Sequence, residues 1–315
     1  MSGTTGKSGA TGKTLFWPVA RAAFIALNGA YWPAIESAAR VRGIESPAWQ
    51  YLPYLLVFKG EPLSAAVMRT RGAYISARLF EERFETLVQQ GFLSREASGA
   101  EPGGVSTARY VPTNAGLSAA HSLLNTAHSR MSRLTPLPLV ELERLASLLE
   151  RVVRACLKPH APLDGWCISH SMNLDPGPRA HVVARIDQHL SDLAAYRDDC
   201  HLSSWRGHGV EGHSWEILTF VWRKQADSLD ALREKLKHRG FTQEETSQAV
   251  QELLDRGWME GTPVRYSTTA VGSDVRQTAQ DTTEALFNAP FACLDDAESA
   301  ELVGLLERLA KAFQK

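Results

Sequence analysis

The chain has 315 residues, of which 44% are apolar and 22% are charged. This length suits two domains or one large one, and these proportions exclude a disordered, collagen-like or coiled-coil chain. No apolar run approaches the roughly 18 residues of a membrane span, and residues 1–13 lack the apolar core of a signal peptide. We therefore expect a cytoplasmic protein without a membrane partner. Four widely spaced cysteines form no CxxC pair, so neither a metal site nor a cofactor is predicted.

Charge is unevenly distributed along the chain. Residues 1–157 contain 17 Lys and Arg against 11 Asp and Glu, whereas residues 158–315 contain 17 against 24. The halves therefore carry +6 and −7. Such polarity favours either a polyanion bound to the first half or attraction between the halves across an interface.

An internal repeat organises the sequence. Two blocks recur at an offset of 166 residues (43–49 with 209–215, and 87–93 with 253–259), and a third recurs at 156 (108–116 with 264–272). The ten extra residues of the first copy are Gly/Ser/Pro-rich over 98–104 and predict a longer hairpin loop. The expected organisation is a flexible tail (1–14), copy 1 (15–157), a linker (158–180) and copy 2 (181–315).

The elements of copy 2 can be predicted in chain order. Apolar spacing predicts helices over 215–222 and 229–238. Thr242, with Glu245 three residues later, forms a capping box that starts a third helix, and Gly257 ends it. Short strands over 258–260 and 264–267 then form a hairpin, and two long helices follow, one from about Thr269 and one over 294–313. The pattern predicts a mainly α fold with small β-hairpin wings and a dimerisation arm, present twice.

Several repeated motifs carry a family resemblance. The helix end apolar-x-x-Leu-x-x-x-Gly-aromatic, an Arg-Tyr wing strand, a Thr-x-x-Gly helix start and a Leu-rich closing helix recur in one order. Phe84, Leu87, Gly91 and Phe92 fill the first motif in copy 1, and Val250, Leu253, Gly257 and Trp258 fill it in copy 2. The chain thus resembles the MarR-like family of winged-helix regulators, and Arg197-Asp198-Asp199-Cys200-His201 is similar to a segment of actinobacterial two-copy proteins. The resemblance implies two lobes on a helical platform, fused here as an internal pseudo-dimer, but not retained DNA binding.

Copy 1 contains the predicted DNA-binding face. In a helix-turn-helix protein the third helix enters the major groove and nearby basic side chains contact phosphates. Copy 2 has Glu244 where copy 1 has Arg78, and this carboxylate would repel phosphates. Double-stranded DNA is therefore the predicted partner of copy 1, with solvated surface charge as the alternative. The candidate contacts are Arg69, Arg71, Ser76, Arg78, Arg83 and, on the wing, Arg109.

The platform between the lobes is the predicted ligand site. The offset of 166 aligns the polar Arg197, Asp198 and His201 with the largely apolar Tyr31, Trp32 and Ile35. A polar wall facing an aromatic wall suits a small anionic or hydroxylated aromatic ligand, and an ion-pair network that only locks the helices is the alternative. The candidate ligand residues are Tyr31, Trp32, Trp49, Arg197, Asp198, His201, Trp205 and Trp215.

Catalysis at the platform is a weaker hypothesis. His201 is a candidate general base that Asp198 or Asp199 would orient, but no nucleophile motif accompanies it. Two functions remain open. One is a ligand-responsive transcriptional regulator that binds DNA mainly through copy 1. The other is a winged-helix scaffold that has lost DNA binding and binds or transforms a small aromatic molecule between the lobes.

Overall fold

The computed structural model describes residues 16–44, 47–96, 108–158 and 164–313. The first unit consists of α1 (Phe16–Val41), α2 (Pro53–Val57), α3 (Ala65–Arg71), α4 (Ala77–Gln89), β1 (Leu93–Glu96), β2 (Arg109–Pro112), α5 (Asn114–Met131) and α6 (Leu139–Cys156). A short helix, α7 (Trp166–Ser171), follows it. The second unit consists of α8 (Val182–Trp205), α9 (Gly212–Trp222), α10 (Leu229–Leu236), α11 (Gln243–Asp255), β3 (Met259–Thr262), β4 (Arg265–Thr268), α12 (Ala270–Asn288) and α13 (Asp296–Ala312).

The two units present their elements in the same order: a long helix, three shorter helices, a hairpin and two long helices. Both hairpins are antiparallel, with Leu93 opposite Pro112 in the first and Met259 opposite Thr268 in the second. The predicted class, a mainly α winged-helix fold with two small wings, is confirmed. The predicted loop over 98–104 lies outside the described residues.

The Thr-x-x-Gly motif joins the first wing to α5. Thr113 caps the helix, because its Oγ1 accepts from the Gly116 N–H at 3.0 Å and donates to the Gly91 carbonyl at 2.7 Å. A Cβ on Gly116 would lie 2.0 Å from the carbonyl oxygen of Phe92. Only glycine therefore permits this close approach of helix and strand.

The same junction recurs between the second wing and α12. Thr269 accepts from the Gly272 N–H at 3.1 Å and donates to the Gly257 carbonyl at 2.6 Å. A Cβ on Gly272 would lie 1.9 Å from the carbonyl oxygen of Trp258. One physical constraint thus accounts for both copies of the motif.

Reciprocal ion pairs join the last helices of the two units. Arg151 of α6 binds Glu298 of α13, and Arg308 of α13 binds Glu141 of α6. Each residue of one pair stands 157 positions from its counterpart in the other. A two-fold relation between equivalent helices produces reciprocal contacts of this kind.

The long helices share one core. α1 packs on α13, and α8 packs on α1, α6, α7 and α12. The buried apolar side chains of both units form a single cluster. Among the described helices, none is long and apolar enough to cross a membrane.

Candidate functional site

An aromatic cavity of about 370 Å³ lies among α1, α2, α3, α4, α7 and α8. Its volume is within the usual range for small-molecule sites. Six aromatic side chains line it, as is usual where a protein holds a planar ligand. These side chains are Trp32, Tyr51, Tyr54, Phe58, Phe80 and Trp166.

An ion pair lies in the wall of this cavity. Arg71, the last residue of α3, donates from Nε to Asp198 Oδ2 of α8 at 2.7 Å. The two side chains are 34% and 45% exposed, so a bound ligand can reach both. Burial opposes the charge of Arg71, but the attraction of Asp198, Tyr54 and Cys167 together leaves the arginine pKa raised. Burial also raises the pKa of Asp198, and Arg71 partly offsets that rise.

The wall formed by α7 contributes further polar groups. The His170 ring packs on Trp166 with centroids 4.1 Å apart and on Phe58 at 5.0 Å. His170 Nδ1 lies 2.8 Å from the Trp166 carbonyl oxygen. Burial raises the pKa of the nearby Cys167 thiol, and Asp199 adds to that rise. The thiol is therefore protonated at neutral pH.

Asp199 holds α7 in place. Its carboxylate accepts from the backbone N–H groups of Cys167 at 2.8 Å and Ile168 at 3.0 Å. A carboxylate at a helix N-terminus satisfies amides that have no partner within the helix. The segment predicted as a linker thus contains a helix that is anchored to α8 and walls the cavity.

The predicted ligand residues divide into two groups. Trp32 and Asp198 line the cavity, and Trp49 lies just behind it, 5.1 Å from the Trp32 ring. The other five candidates lie elsewhere. The cavity is therefore not built from a polar wall of Arg197 and His201.

Tyr31 and Arg197 belong to separate buried clusters. The Tyr31 hydroxyl donates to Asp187 Oδ2 at 3.2 Å, and burial raises the pKa of Asp187 to about 7. Arg197 donates to Glu284 at 2.5 Å and lies over the ring of Phe287. Both contacts join neighbouring helices and lie away from the cavity.

His201, Trp205 and Trp215 lie in the core near α12. His201 Nδ1 is 3.4 Å from Thr283 Oγ1, and burial lowers its pKa to about 3, so the ring is neutral. Trp205 donates to the Tyr74 hydroxyl at 2.8 Å and stacks on Trp215 at 5.6 Å. His201 thus contacts a threonine, while the two carboxylates considered as its catalytic partners bind Arg71 and the α7 backbone.

The predicted DNA contacts are largely occupied within the chain. Arg69 binds Glu211 at 2.8 Å, and Arg71 binds Asp198. Arg83 is half-buried on α4. Arg109 is 60% exposed on β2 and lies 3.6 Å from Glu96.

The first helix-turn-helix turn docks on the second unit. Ser76 caps α4 and donates from Oγ to the Gly240 carbonyl at 2.9 Å, and Arg78 donates to the same carbonyl. The Ser76 N–H also donates to the Arg239 carbonyl at 2.9 Å. A Cβ on Gly240 would lie 2.6 Å from Leu79 Cβ and 2.7 Å from Ser76 Oγ. The two turns therefore meet at a contact that requires glycine.

α4 and α11, the third helices of the two helix-turn-helix motifs, each carry a net negative charge. α4 contains Arg78 and Arg83 together with three glutamates, and α11 contains four carboxylates and no Lys or Arg. Carboxylates oppose the approach of phosphates. They are Glu81, Glu82 and Glu85 in α4, and Glu244, Glu245, Glu252 and Asp255 in α11.

Sequence reasoning missed several cavity residues. Tyr51, Tyr54 and Phe58 were not selected, and Trp166 and His170 fell in the predicted linker. The i, i+4 spacing of Trp166 and His170 is the signal that indicates a helical face. Within the described ranges, no group of three or more His, Cys, Asp or Glu is placed to hold a metal.

Three helices followed by a hairpin define the helix-turn-helix class with a wing. A model of a helix-turn-helix family matches residues 105–315, about two thirds of the chain, and the chain belongs to this family. Membership indicates, in general terms, a DNA-binding regulator. No curated protein and no solved structure matches the chain.

Proposed function

We propose that this protein is a ligand-responsive helix-turn-helix regulator whose ligand occupies the aromatic cavity. One observation carries the proposal: the cavity and the first helix-turn-helix turn share residues. Arg71, Gly72, Ile75 and Phe80 line the cavity, and the same segment leads into Ser76, which docks on the second unit. A ligand that moves this segment therefore acts directly on the docked turn.

The proposed architecture is a MarR-like tandem duplication folded as an internal pseudo-dimer. Its two copies span 15–157 and 181–315, joined by 158–180. The reciprocal pairs of Arg151 with Glu298 and Arg308 with Glu141 support this arrangement, as do the two matching wing–helix junctions.

The Arg71–Asp198 pair is the proposed switch. A planar ligand with an anionic or hydroxylated end would stack on Trp32 or Trp166 and compete with Asp198 for the guanidinium group. Because Arg71 ends α3, loss of the pair would remove one of the contacts that hold the end of α3 against α8. The Ser76–Gly240 contact would then loosen and release the N-terminus of α4.

Binding of an aromatic acid tests the ligand site. Benzoate and 2-naphthoate should quench tryptophan fluorescence of the wild type, and Arg71→Gln should weaken that quenching at least tenfold. Arg40→Gln is the matched control, because Arg40 is 77% exposed and, among the described residues, its one ion pair is with Glu36. Equal quenching in all three proteins would refute the cavity as the site.

A gel shift on the DNA upstream of the coding region, at two salt concentrations, tests the regulator. Binding should weaken as salt rises, and 2-naphthoate should change it in the wild type but not in Arg71→Gln. If DNA binding is salt-sensitive but unchanged by 2-naphthoate, the protein is not a ligand-responsive regulator.

The acidic third helices favour a second candidate, a scaffold that binds a small aromatic molecule and no longer contacts DNA. The net charges of α4 and α11 and the docked Ser76 support this alternative. It predicts quenching by 2-naphthoate together with no salt-sensitive DNA binding at low ionic strength. The two assays therefore separate the candidates.

A further inference from the structure

A second depression lies between α1 and α5, and it shares no lining residue with the aromatic cavity. It is an open groove of about 700 Å³. Ala34 contributes from α1, and the remaining wall comes from α5 and the residues just after it. The polar and charged side chains that line it include His121, Ser122, Asn125, Ser129, Arg130 and Arg133.

The groove is basic and contains no carboxylate in its lining. Residues 114–133 include two Arg and two His but no Asp or Glu. Arg133 is exposed and makes no ion pair within the described ranges, and Arg130 donates from Nε only to the Ala30 carbonyl, at 3.4 Å. Arg42, at the end of α1, adds a third guanidinium group by donating to the Ser122 hydroxyl. Positive charge is therefore concentrated here, and within the part of the chain that the structure describes no carboxylate pairs with Arg42, Arg130 or Arg133.

The corresponding helix of the second unit is acidic. α12 carries Asp274, Asp281 and Glu284, and its one arginine, Arg276, is only 1% exposed. Both helices follow a wing and begin with the same threonine cap. Because the fold accepts either charge at this position, the basic face of α5 is not a requirement of folding.

We propose that the α1–α5 groove binds the phosphate backbone of a DNA duplex. Arginine, hydroxyl and amide groups are the side-chain groups that contact phosphates. The row from Ser118 to Arg130 extends about 18 Å along α5, which is long enough for several successive phosphates. The acidic third helices are poorly suited to this contact. The proposal rests on the DNA binding proposed above, but it assigns the phosphate contacts to a different surface.

The proposal predicts a specific salt dependence. Each phosphate contact contributes about 0.9 to the slope of log affinity against log salt concentration. Arg130→Gln/Arg133→Gln removes two contacts, so the slope should become shallower by about 1.8. Affinity at low salt should fall more than tenfold.

Fluorescence anisotropy of a labelled 20-base-pair duplex, titrated with the full chain at several salt concentrations, measures both quantities. The control is Arg21→Gln/Arg154→Gln, which makes the same charge change on exposed residues outside the groove. Asn125→Asp is a second test, because it places a carboxylate in the groove without changing the size of the side chain. It should weaken binding several-fold, whereas the control double variant should bind like the wild type.

Four outcomes would overturn the assignment. If the groove variants bind with wild-type affinity and slope, the phosphates lie elsewhere and the regulator proposal survives. If the control loses as much affinity as the groove variants, only overall charge matters. If the wild type binds no duplex, both the groove assignment and the proposed DNA-binding regulator are wrong. If it binds phosphatidylglycerol vesicles in place of the duplex, the groove recognises a lipid surface.

Discussion

The first and second units use the same residues at their wing–helix junctions and different residues around the cavity. Thr113 and Gly116 match Thr269 and Gly272 in type and in hydrogen bonding. At the offset of 166, by contrast, Tyr51, Phe58 and Phe80 of the cavity correspond to Ile217, Lys224 and Thr246. Backbone geometry therefore fixes the shared residues, and functional differences should be sought where the units diverge.

The junction glycines provide the strongest test of the shared part. Gly116→Ala and Gly272→Ala should each lower the free energy of unfolding by about 3 kcal/mol, because the new Cβ meets a backbone carbonyl that cannot move independently. Urea denaturation measures the change. Gly304→Ala is the control, since nothing lies within 4 Å of its Cβ, and it should stabilise α13 by about 0.5–1 kcal/mol. Wild-type stability of either junction variant would contradict the shared constraint.

Arg197 aligns with Tyr31 of the first unit, and its substitution tests whether this difference between the units serves stability or ligand binding. Arg197→Ala should lower the free energy of unfolding by about 2–3 kcal/mol, because it leaves Glu284 with the Gln280 amide but without a cation, in a site where the two paired side chains are 11% and 26% exposed. Quenching by 2-naphthoate should be unchanged, since Arg197 does not line the cavity. If quenching is lost while the melting temperature stays unchanged, Arg197 belongs to a ligand site.

His201 of the second unit aligns with Ile35 of the first at the offset of 166. This histidine should make the free energy of unfolding depend on pH. Its folded-state pKa is lowered to about 3, first by burial and then by Arg276 and Arg197, whereas the unfolded value is about 6.5. The unfolded state therefore binds a proton that the folded state does not. This contribution to stability is present above about pH 6.5 and is lost, by about 1.4 kcal/mol per unit, as pH falls toward 3.

His201→Ile should consequently flatten the acid side of the stability profile. The variant should lose about 2 kcal/mol less than the wild type between pH 7 and pH 5, as measured by urea denaturation at each pH. His213, whose pKa is lowered to about 4, still titrates in the variant and leaves part of the slope. Identical profiles would mean that His201 has the same pKa in the folded and unfolded states.

Gly240 gives the smallest and most local test. Gly240→Ala and Gly209→Ala both place alanine at a positive φ, +77° and +66°, which costs about 1–2 kcal/mol. Only Gly240 faces side chains of the first unit, so its variant should lose about 1–2 kcal/mol more. If the two variants are equally destabilised, the turn at Ser76 can move away from residue 240 at no cost.

The elements could be predicted from the sequence because their signals are local. Thr242 with Glu245 forms the predicted capping box of α11, and Gly257 takes the left-handed conformation expected after a helix. Such signals depend on backbone sterics within a few residues. They can therefore be recognised without knowing which distant residues come together.

The cavity could be predicted only in part, because its walls depend on distant contacts. Trp32 and Asp198 were selected by comparing the copies, whereas α7 was hidden in a Pro/Gly-rich segment. Its position depends on Asp199, more than 30 residues away. Likewise, the partners of Arg69 and Arg71 lie 142 and 127 residues away, so neither pairing could be seen from local spacing.

The reciprocal pairs between α6 and α13 have a genetic consequence. In a homodimer, one codon change alters both sides of the two-fold axis, so a cavity opened on one side opens on the other. In the proposed pseudo-dimer both halves of the interface lie in one chain, so each side is encoded separately. The ion pairs of Arg151 and Arg308 join α6 to α13. A mutation that forms the aromatic cavity or the basic groove then changes one unit and leaves the other unit unaltered.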